Sequence, residues 1–273
     1  MRHLFADVLM DMRHTFTVGL IAAVIALVPL SSDAGLGLDV SPAKLEISFA
    51  PGTVYNLPVT IHNNGSASVH VLTSMNDFTL NTAGDYQFTK PGTLGFSLMK
   101  FATVNPREFD LPADSSQQVR LTLSIPNTAS ISGEFPGIVF FQTRPERHGG
   151  VGVAFSAKVA TKIYAQINGT IKTSGRVLKF ASAKNGSLQN YRVLFANTGN
   201  AHVYLNGRVE IRHNGELVDR ISLGSSLLVE RGGERLIEVT GKHLEAGHYD
   251  AIAAVDYGGE KLVGGQLAFD TAP

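Results

Sequence analysis

Hydrophobic and polar residues alternate along the chain from residue 36 onward, in short runs that end at Gly, Pro, Asn or Asp. Alternation with a period of two is typical of β-strands with one buried face. The first series of predicted strands is 38–48, 55–62, 68–73, 118–124, 137–142 and 151–167. The second series is 173–182, 191–196, 202–212, 216–223, 235–240, 249–256 and 265–270. Many short strands between frequent turns predict an all-β fold built from sandwiches or barrels.

The two series are separated by Asn168-Gly169-Thr170, which we interpret as a hinge. We therefore predict two tandem immunoglobulin-like β-sandwich domains, residues 35–168 and 169–273. Each is near the roughly 100 residues of a typical sandwich of this kind. The second is expected to be a general immunoglobulin-like or fibronectin-like module.

An internal echo favours this division. Residues 59–71 and 193–205 both consist of a strand, an Asn-x-Gly turn and another strand. Asn and Gly suit the turn because they tolerate positive φ at low cost. A second echo pairs Gly133-Glu134-Phe135 with Gly247-His248-Tyr249, where an aromatic residue opens an apolar strand like the corner aromatic of immunoglobulin sandwiches. Gene duplication is one hypothesis for these echoes, and convergence on the same strand–turn pattern is the other.

The N-terminus predicts export. Arg13 precedes an apolar run at residues 16–30, and the small residues Ser32 and Ala34 follow it, which is the order of a secretory signal peptide. Cleavage after Ala34 would leave a mature protein without a membrane span. The alternative is a retained anchor, although the run is shorter than the roughly 20 residues that span a bilayer. Met12 is an alternative start.

Composition and motifs narrow the function classes. Lys plus Arg and Asp plus Glu each number 23, so net charge gives no reason to expect a nucleic-acid partner. The absence of cysteine excludes disulfides and cysteine-ligated metals. The sequence has no His-Glu-x-x-His helix signature, no Gly-x-Ser-x-Gly elbow and no phosphate-binding loop. We therefore predict a protein that is not an enzyme and that needs no metal or cofactor.

The predicted strand 151–167 is much longer than the usual five or six residues. Its apolar positions fall on one face, and the candidate binding residues among them are Val151, Val153, Phe155, Ala157 and Val159. Either the whole strand is buried in its own sandwich, or its first part is offered to another protein. In the second case ladder hydrogen bonds supply affinity and alternate side chains fill pockets of the partner.

The first domain resembles the periplasmic pilus (fimbrial) assembly chaperones. The stretches that carry the resemblance are 40–47, 51–52, 59–65, 104–112, 117–121 and 133–145. The resemblance spans residues 38–167, and the second domain does not share it. It implies a chaperone that donates the last long strand of its first domain to a fibre subunit. It also implies a basic pair that holds the subunit's terminal carboxylate, with Lys44 as the first member. Lys162 is the candidate for the second, and the family's spacing also points to Tyr164.

Two functions remain open at this point. The first is a periplasmic chaperone for subunits of a surface fibre, with an outer-membrane usher as a further partner. The second is a non-enzymatic structural or adhesive protein of the cell envelope, in which residues 151–155 would be buried in their own sandwich.

Overall fold

The computed structural model describes residues 37–128, 130–147 and 154–272, and it confirms the all-β, two-sandwich prediction. The strands of the first sandwich are β1 Leu38–Ser41, β2 Lys44–Phe49, β3 Val54–Asn63, β4 Val69–Leu80, β5 Tyr86–Thr89, β6 Ala102–Asn105, β7 Glu108–Leu111, β8 Ser115–Ser124, β9 Glu134–Thr143, β10 Glu146–Arg147, β11 Ala154–Phe155 and β12 Lys158–Ile167. The strands of the second are β13 Gly175–Asn185, β14 Leu188–Asn197, β15 Val203–His213, β16 Glu216–Ser222, β17 Leu227–Val229, β18 Glu234–Thr240, β19 Gly247–Asp256 and β20 Val263–Thr271. A short 3₁₀ helix, Leu98–Lys100, lies between β5 and β6.

Two sheets enclose the core of the first sandwich. One has the order β1-β3-β8-β6, and the other has the order β2-β12-β9-β4-β5 with β7 also paired to β4. Strands β3, β8 and β9 turn their apolar residues inward, and their core includes Ile61, Val119 and Phe141 at no more than 1% exposure. This burial removes apolar side chains from water and is the main favourable term for folding.

The second sandwich has its own core. Sheets β13-β14-β18 and β16-β15-β19-β20 enclose Val193, Phe195, Val209 and Ala251, and β17 pairs with β15. Residues 168–174 connect the two sandwiches without forming a strand. The predicted domain boundary at residue 168 falls at the start of this connection and stays a prediction.

The predicted strand 38–48 is in fact two strands in different sheets. β1 pairs antiparallel with β3, whereas β2 pairs parallel with β12. Pro42 lies at the switch, and because it has no backbone N–H it cannot continue a ladder as a donor. The switch places Lys44 at the start of β2, directly beside β12.

The predicted long strand 151–167 is also interrupted. Residues 151–153, including Val151 and Val153, lie outside the described part of the chain. β11 and β12 are separated at Ser156–Ala157, where the side chain of Thr143 replaces a regular ladder bond. Its hydroxyl accepts a hydrogen bond from Ala157 N at 3.0 Å, while its carbonyl accepts one from Ser156 Oγ at 2.8 Å.

Five of the described strands escaped prediction, namely β5, β6, β7, β10 and β17. Each has at most four residues, so the alternating pattern is too short to detect.

The first sequence echo has a matching structure. In the first sandwich, the Asn63 side-chain amide lies within hydrogen-bond distance of three backbone carbonyl oxygens, those of Ala67 (2.8 Å), Leu111 (3.0 Å) and Pro112 (3.0 Å). Its Oδ1 accepts a bond from Gly65 N at 2.9 Å. A buried side chain thus ties the β3–β4 turn to the end of β7.

Asn197 repeats this arrangement in the second sandwich. Its amide nitrogen lies 2.8 Å from Ala201 O, 3.1 Å from Val229 O and 3.0 Å from Glu230 O, and its Oδ1 accepts from Gly199 N at 2.9 Å. The Asn-x-Gly motif is therefore a buried corner in each sandwich, where one amide side chain serves as a donor to the carbonyls around the turn.

We expect Asn63→Ala to lower the free energy of unfolding by about 2 to 4 kcal/mol, because it leaves buried carbonyls without a donor. Urea unfolding measures the change. The neighbouring Asn64 is exposed and bonds only the Asp39 side chain, so Asn64→Ala is the matched control and should cost less than about 1 kcal/mol. Equal losses for the two variants would contradict the structural role of the buried corner.

Candidate protein-binding strand and lysine site

Strand β12 has two different edges. Along one edge it pairs antiparallel with β9, from Lys158 opposite Gln142 to Gln166 opposite Glu134. Along the other edge the parallel partner β2 begins only at Lys162, which faces Lys44. Within the described residues no strand pairs with this second edge over residues 154–160. The N-terminal part of the β11–β12 segment, residues 154–160, therefore has one edge with no partner strand in the described part of the chain.

Burial along this segment changes at the same point. Ile163 is fully buried in the core of the first sandwich, and Ala157 and Val159 pack against that core only in part. Phe155 lies beyond it, with 55% of its surface exposed. Burying a ring of this size against a partner would contribute on the order of 2 kcal/mol or more.

The two candidate anchor lysines lie side by side. The β2–β12 register places Lys44 directly opposite Lys162, so both side chains leave the same face of the sheet. The ammonium group of Lys162 donates a hydrogen bond to the Tyr86 hydroxyl at 2.7 Å. Lys44 donates to Tyr204 OH at 3.1 Å and forms an ion pair with Glu46 at 2.8 Å. We call the group formed by Lys44, Lys162, Tyr86 and Tyr204 the lysine site.

Tyr164, the alternative to Lys162, is fully buried. Its hydroxyl donates to Glu230 Oε1 at 2.9 Å. Burial, followed by the neighbouring Glu230 carboxylate, raises the pKa of this phenol above its usual range. Tyr164 belongs to the junction between the sandwiches, where it also packs edge-on against Phe78.

A buried polar network joins the two sandwiches. Glu134 is fully buried and accepts hydrogen bonds from His202 Nδ1 at 2.7 Å, from His202 N at 3.1 Å and from Gln166 Nε2 at 3.0 Å. Burial is the largest influence on the pKa of His202 and acts to lower it, but the hydrogen bond to Glu134 and the charges of Glu134, Glu230 and Glu46 together outweigh it and the pKa is raised. A buried carboxylate with three donors is stable, whereas loss of one donor would leave a costly unpaired charge.

Glu230 is the second buried carboxyl group of the junction, with 4% exposure. Burial raises its pKa to about 7 in spite of the hydrogen bond from Tyr164. Its Oε2 atom has no hydrogen-bond partner among the described residues. Burial disfavours the charged form of this carboxyl group and therefore favours its protonated, neutral form.

Apolar contacts surround the network. Phe78, Ile138 and Phe140 form a third cluster on the first sandwich, and Leu228 of the second sandwich packs against it. Next to it the carbonyl of Thr82, in the β4–β5 turn, accepts a hydrogen bond from the backbone N–H of Leu236 at 2.8 Å. The junction therefore combines apolar, backbone and charged contacts.

Sequence reasoning missed the partners in this network, which are Glu46, Tyr86, Glu134, His202, Tyr204 and Glu230. One signal was available, because a glutamate at the head of the apolar run Glu134–Thr143 is expected to be buried with a partner. The identity of that partner depends on the packing of the second sandwich, which local pattern does not specify.

The described residues contain no helix long and apolar enough to span a membrane. In the same ranges no three His, Asp or Glu side chains are grouped to hold a metal ion.

Fold and site together define a two-sandwich all-β protein with an open-edged strand beside a pair of lysines. No known family model and no curated protein matches the chain. Solved structures of pilus chaperones are similar to it, at low sequence identity.

The class 5 fimbriae chaperone CfaA is 11% identical, with a TM-score of 0.48 over 87% of this chain and 100% of its own. The CsuC–CsuE chaperone–tip adhesion subunit complex of Acinetobacter baumannii gives 12% identity and a TM-score of 0.46, over 86% of this chain and 97% of the matched chain. The SafA pilin–SafB chaperone complex of Salmonella enterica gives 14% identity and 0.44, over 87% and 97%. Likeness at these values does not establish a function.

The buried junction makes stability depend on pH. Glu230 has a folded-state pKa near 7, above its value of 4.5 when unfolded, and the pKa of His202 is also raised. Both groups therefore stabilise the fold at low pH and lose that contribution as pH rises through their folded-state pKa values. For Glu230 alone we expect the free energy of unfolding to fall by about 2 to 3 kcal/mol between pH 5 and pH 8.

Urea unfolding at both pH values measures this difference. Glu230→Gln keeps an acceptor for Tyr164 but cannot ionise, so it should be more stable than wild type at pH 8 and should show a much smaller pH dependence. Unchanged pH dependence in this variant would show that Glu230 does not titrate between pH 5 and pH 8.

Proposed function

We propose that this protein is a periplasmic chaperone that binds and stabilises subunits of a surface fibre by donating strand β11–β12. The observation that carries the proposal is the open edge over residues 154–160, together with the exposed Phe155.

The physical basis is β-strand addition. An open edge offers unpaired N–H and C=O groups, which a partner strand can satisfy in register. Phe155 is exposed, whereas Ala157 and Val159 pack in part against the chain's own core. A subunit with an incomplete core would cover the exposed end of this series. Val151 and Val153 would extend the donated face if the alternation continues through them.

The lysine site supplies the second part of the proposal. A terminal carboxylate of the subunit would accept charge-assisted hydrogen bonds there, which are shorter and stronger than neutral ones. Lys162 lies opposite Lys44, the first residue of β2, and so it marks the C-terminal end of the open edge on β12. A carboxylate bound at this point would fix how far the subunit strand runs along β12.

The proposed partners are fibre subunits, with an outer-membrane usher as a further partner. The proposed location is the periplasm, after export, and the proposed role is non-enzymatic and needs no cofactor. An adhesive envelope module would instead bury the segment around Phe155 in its own sandwich, and the 55% exposure of that ring favours the chaperone.

We expect Phe155→Asp to weaken the complex with a co-expressed fibre subunit about tenfold or more, because the aspartate would be buried without a partner. Co-purification and titration calorimetry measure the loss. Val54→Asp is the matched control, since Val54 is an exposed apolar residue, at 64%, at the start of β3. An intact complex with Phe155→Asp would mean that the β11–β12 strand is not the one donated.

We expect Lys162→Met to weaken the same complex about tenfold or more, because a charge-assisted hydrogen bond to the subunit carboxylate is lost. Lys158→Met is the control. It removes an equal charge from the same strand and face, where Lys158 lies over the Phe140 ring at 4.0 Å. Similar losses for both lysines would indicate general electrostatic attraction and would contradict a specific anchor.

A further inference from the structure

We propose that Glu46 is an internal occupant of the lysine site, which engages Lys44 and leaves Lys162 to take the incoming carboxylate. The inference rests on the proposed function, because it concerns which lysine binds the subunit terminus. It divides the basic pair into one junction residue and one ligand-binding residue.

Three side chains form a closed triangle around Lys44. The ammonium group lies 2.8 Å from Glu46 Oε1 and 3.1 Å from Tyr204 OH. The Tyr204 hydroxyl in turn donates to the same Glu46 oxygen at 2.8 Å. Glu46 is two residues beyond Lys44 on β2, so both side chains leave the same face of the strand. A carboxylate thus already stands where a bound terminus would pair with Lys44.

The ion pair remains charged at neutral pH. The hydrogen bond to Glu46 is the main cause that raises the pKa of Lys44 above its usual range. Partial burial acts to raise the pKa of Glu46, but hydrogen bonds from Lys44 and Tyr204 outweigh it and the pKa is lowered. A second carboxylate at Lys44 would have to displace Glu46 or lie beside it and be repelled.

Lys162 has a different environment. Its hydrogen-bond partner is the neutral Tyr86 hydroxyl, and no Asp or Glu of the described residues lies within 4 Å of its ammonium group. The charge of Glu230 acts on this region, but that group is tied to Tyr164 and is partly protonated near neutral pH. Of the two lysines in the lysine site, Lys162 is therefore the one without an ion-pair partner among the described residues.

Glu46 also ties the site to the second sandwich. Its Oε1 lies 3.5 Å from His202 Nε2, and Tyr204 belongs to β15. Displacing Glu46 would break contacts across the junction as well as the pair with Lys44. This second cost reinforces the assignment of the incoming carboxylate to Lys162.

Two labelled hexapeptides of sequence Thr-Val-Thr-Val-Thr-Val test the assignment, one with a free C-terminal carboxylate and one with a C-terminal amide. Fluorescence anisotropy with the full mature protein gives the ratio of the two dissociation constants. This ratio reports carboxylate recognition and is insensitive to general loss of stability. Wild type should prefer the free acid, and Lys162→Met should remove the preference.

Glu46 and Lys44 variants separate the roles. Glu46→Gln should raise the preference for the free acid about fivefold, because it frees Lys44 and removes a repulsive charge. In the Glu46→Gln background, Lys44→Met should abolish this gain and return the preference to about the wild-type value, because the pair of positions is then neutral again. Glu46→Asp, which keeps the charge, should stay close to wild type.

The outcomes distinguish the two levels of the proposal. If wild type does not discriminate acid from amide, the carboxylate anchor of the proposed function is itself wrong. If wild type discriminates but Glu46→Gln has no effect, or if its gain survives Lys44→Met, the chaperone proposal stands and the role of Glu46 is overturned.

Discussion

The arrangement of this molecule depends on where β2 begins to pair with β12. From Lys162 onward, β12 is a central strand, with β9 on one side and β2 on the other. Before Lys162 it is an edge strand, because β1, which precedes Pro42, pairs with β3 in the opposite sheet. One strand therefore holds its own sandwich together in one half and presents an unpaired ladder in the other. The change from central to edge strand occurs at the lysine site.

The junction between the sandwiches buries charged groups, which costs free energy unless each of them is paired. Two fully or nearly buried carboxyl groups, Glu134 and Glu230, lie close to the same histidine. Burial of unpaired charge would destabilise such a junction by several kcal/mol, so each group needs a donor, a proton or both. The apolar cluster around Phe78 and Leu228 adjoins the network through Tyr164, whose hydroxyl donates to Glu230. A junction built this way fixes Tyr204 and His202 against the first sandwich, and this fixes the surroundings of Lys44.

Much of the fold could be predicted from the sequence, because the alternating pattern has the period of the structure it forms. The two sandwiches, the long strands and the repeated corner of Asn63 and Asn197 were all visible as pattern or echo. Short strands such as β5 were not, and neither was the switch of sheets at Pro42. Of the site, Lys44 and Lys162 followed from a family resemblance, whereas their neighbours Glu46 and Tyr204 did not. Tyr204 is 160 residues from Lys44 in sequence, and only tertiary packing brings the two together.

The central claim is that residues 154–160 form an edge that another protein completes. Hydrogen–deuterium exchange of the purified protein, alone and bound to a co-expressed fibre subunit, tests it most directly. Fast exchange of the amides at this edge in the free protein, with at least about tenfold protection in the complex, is the result that strand donation predicts. The account is contradicted if these amides are already protected in the free protein, or if subunit binding leaves their exchange unchanged.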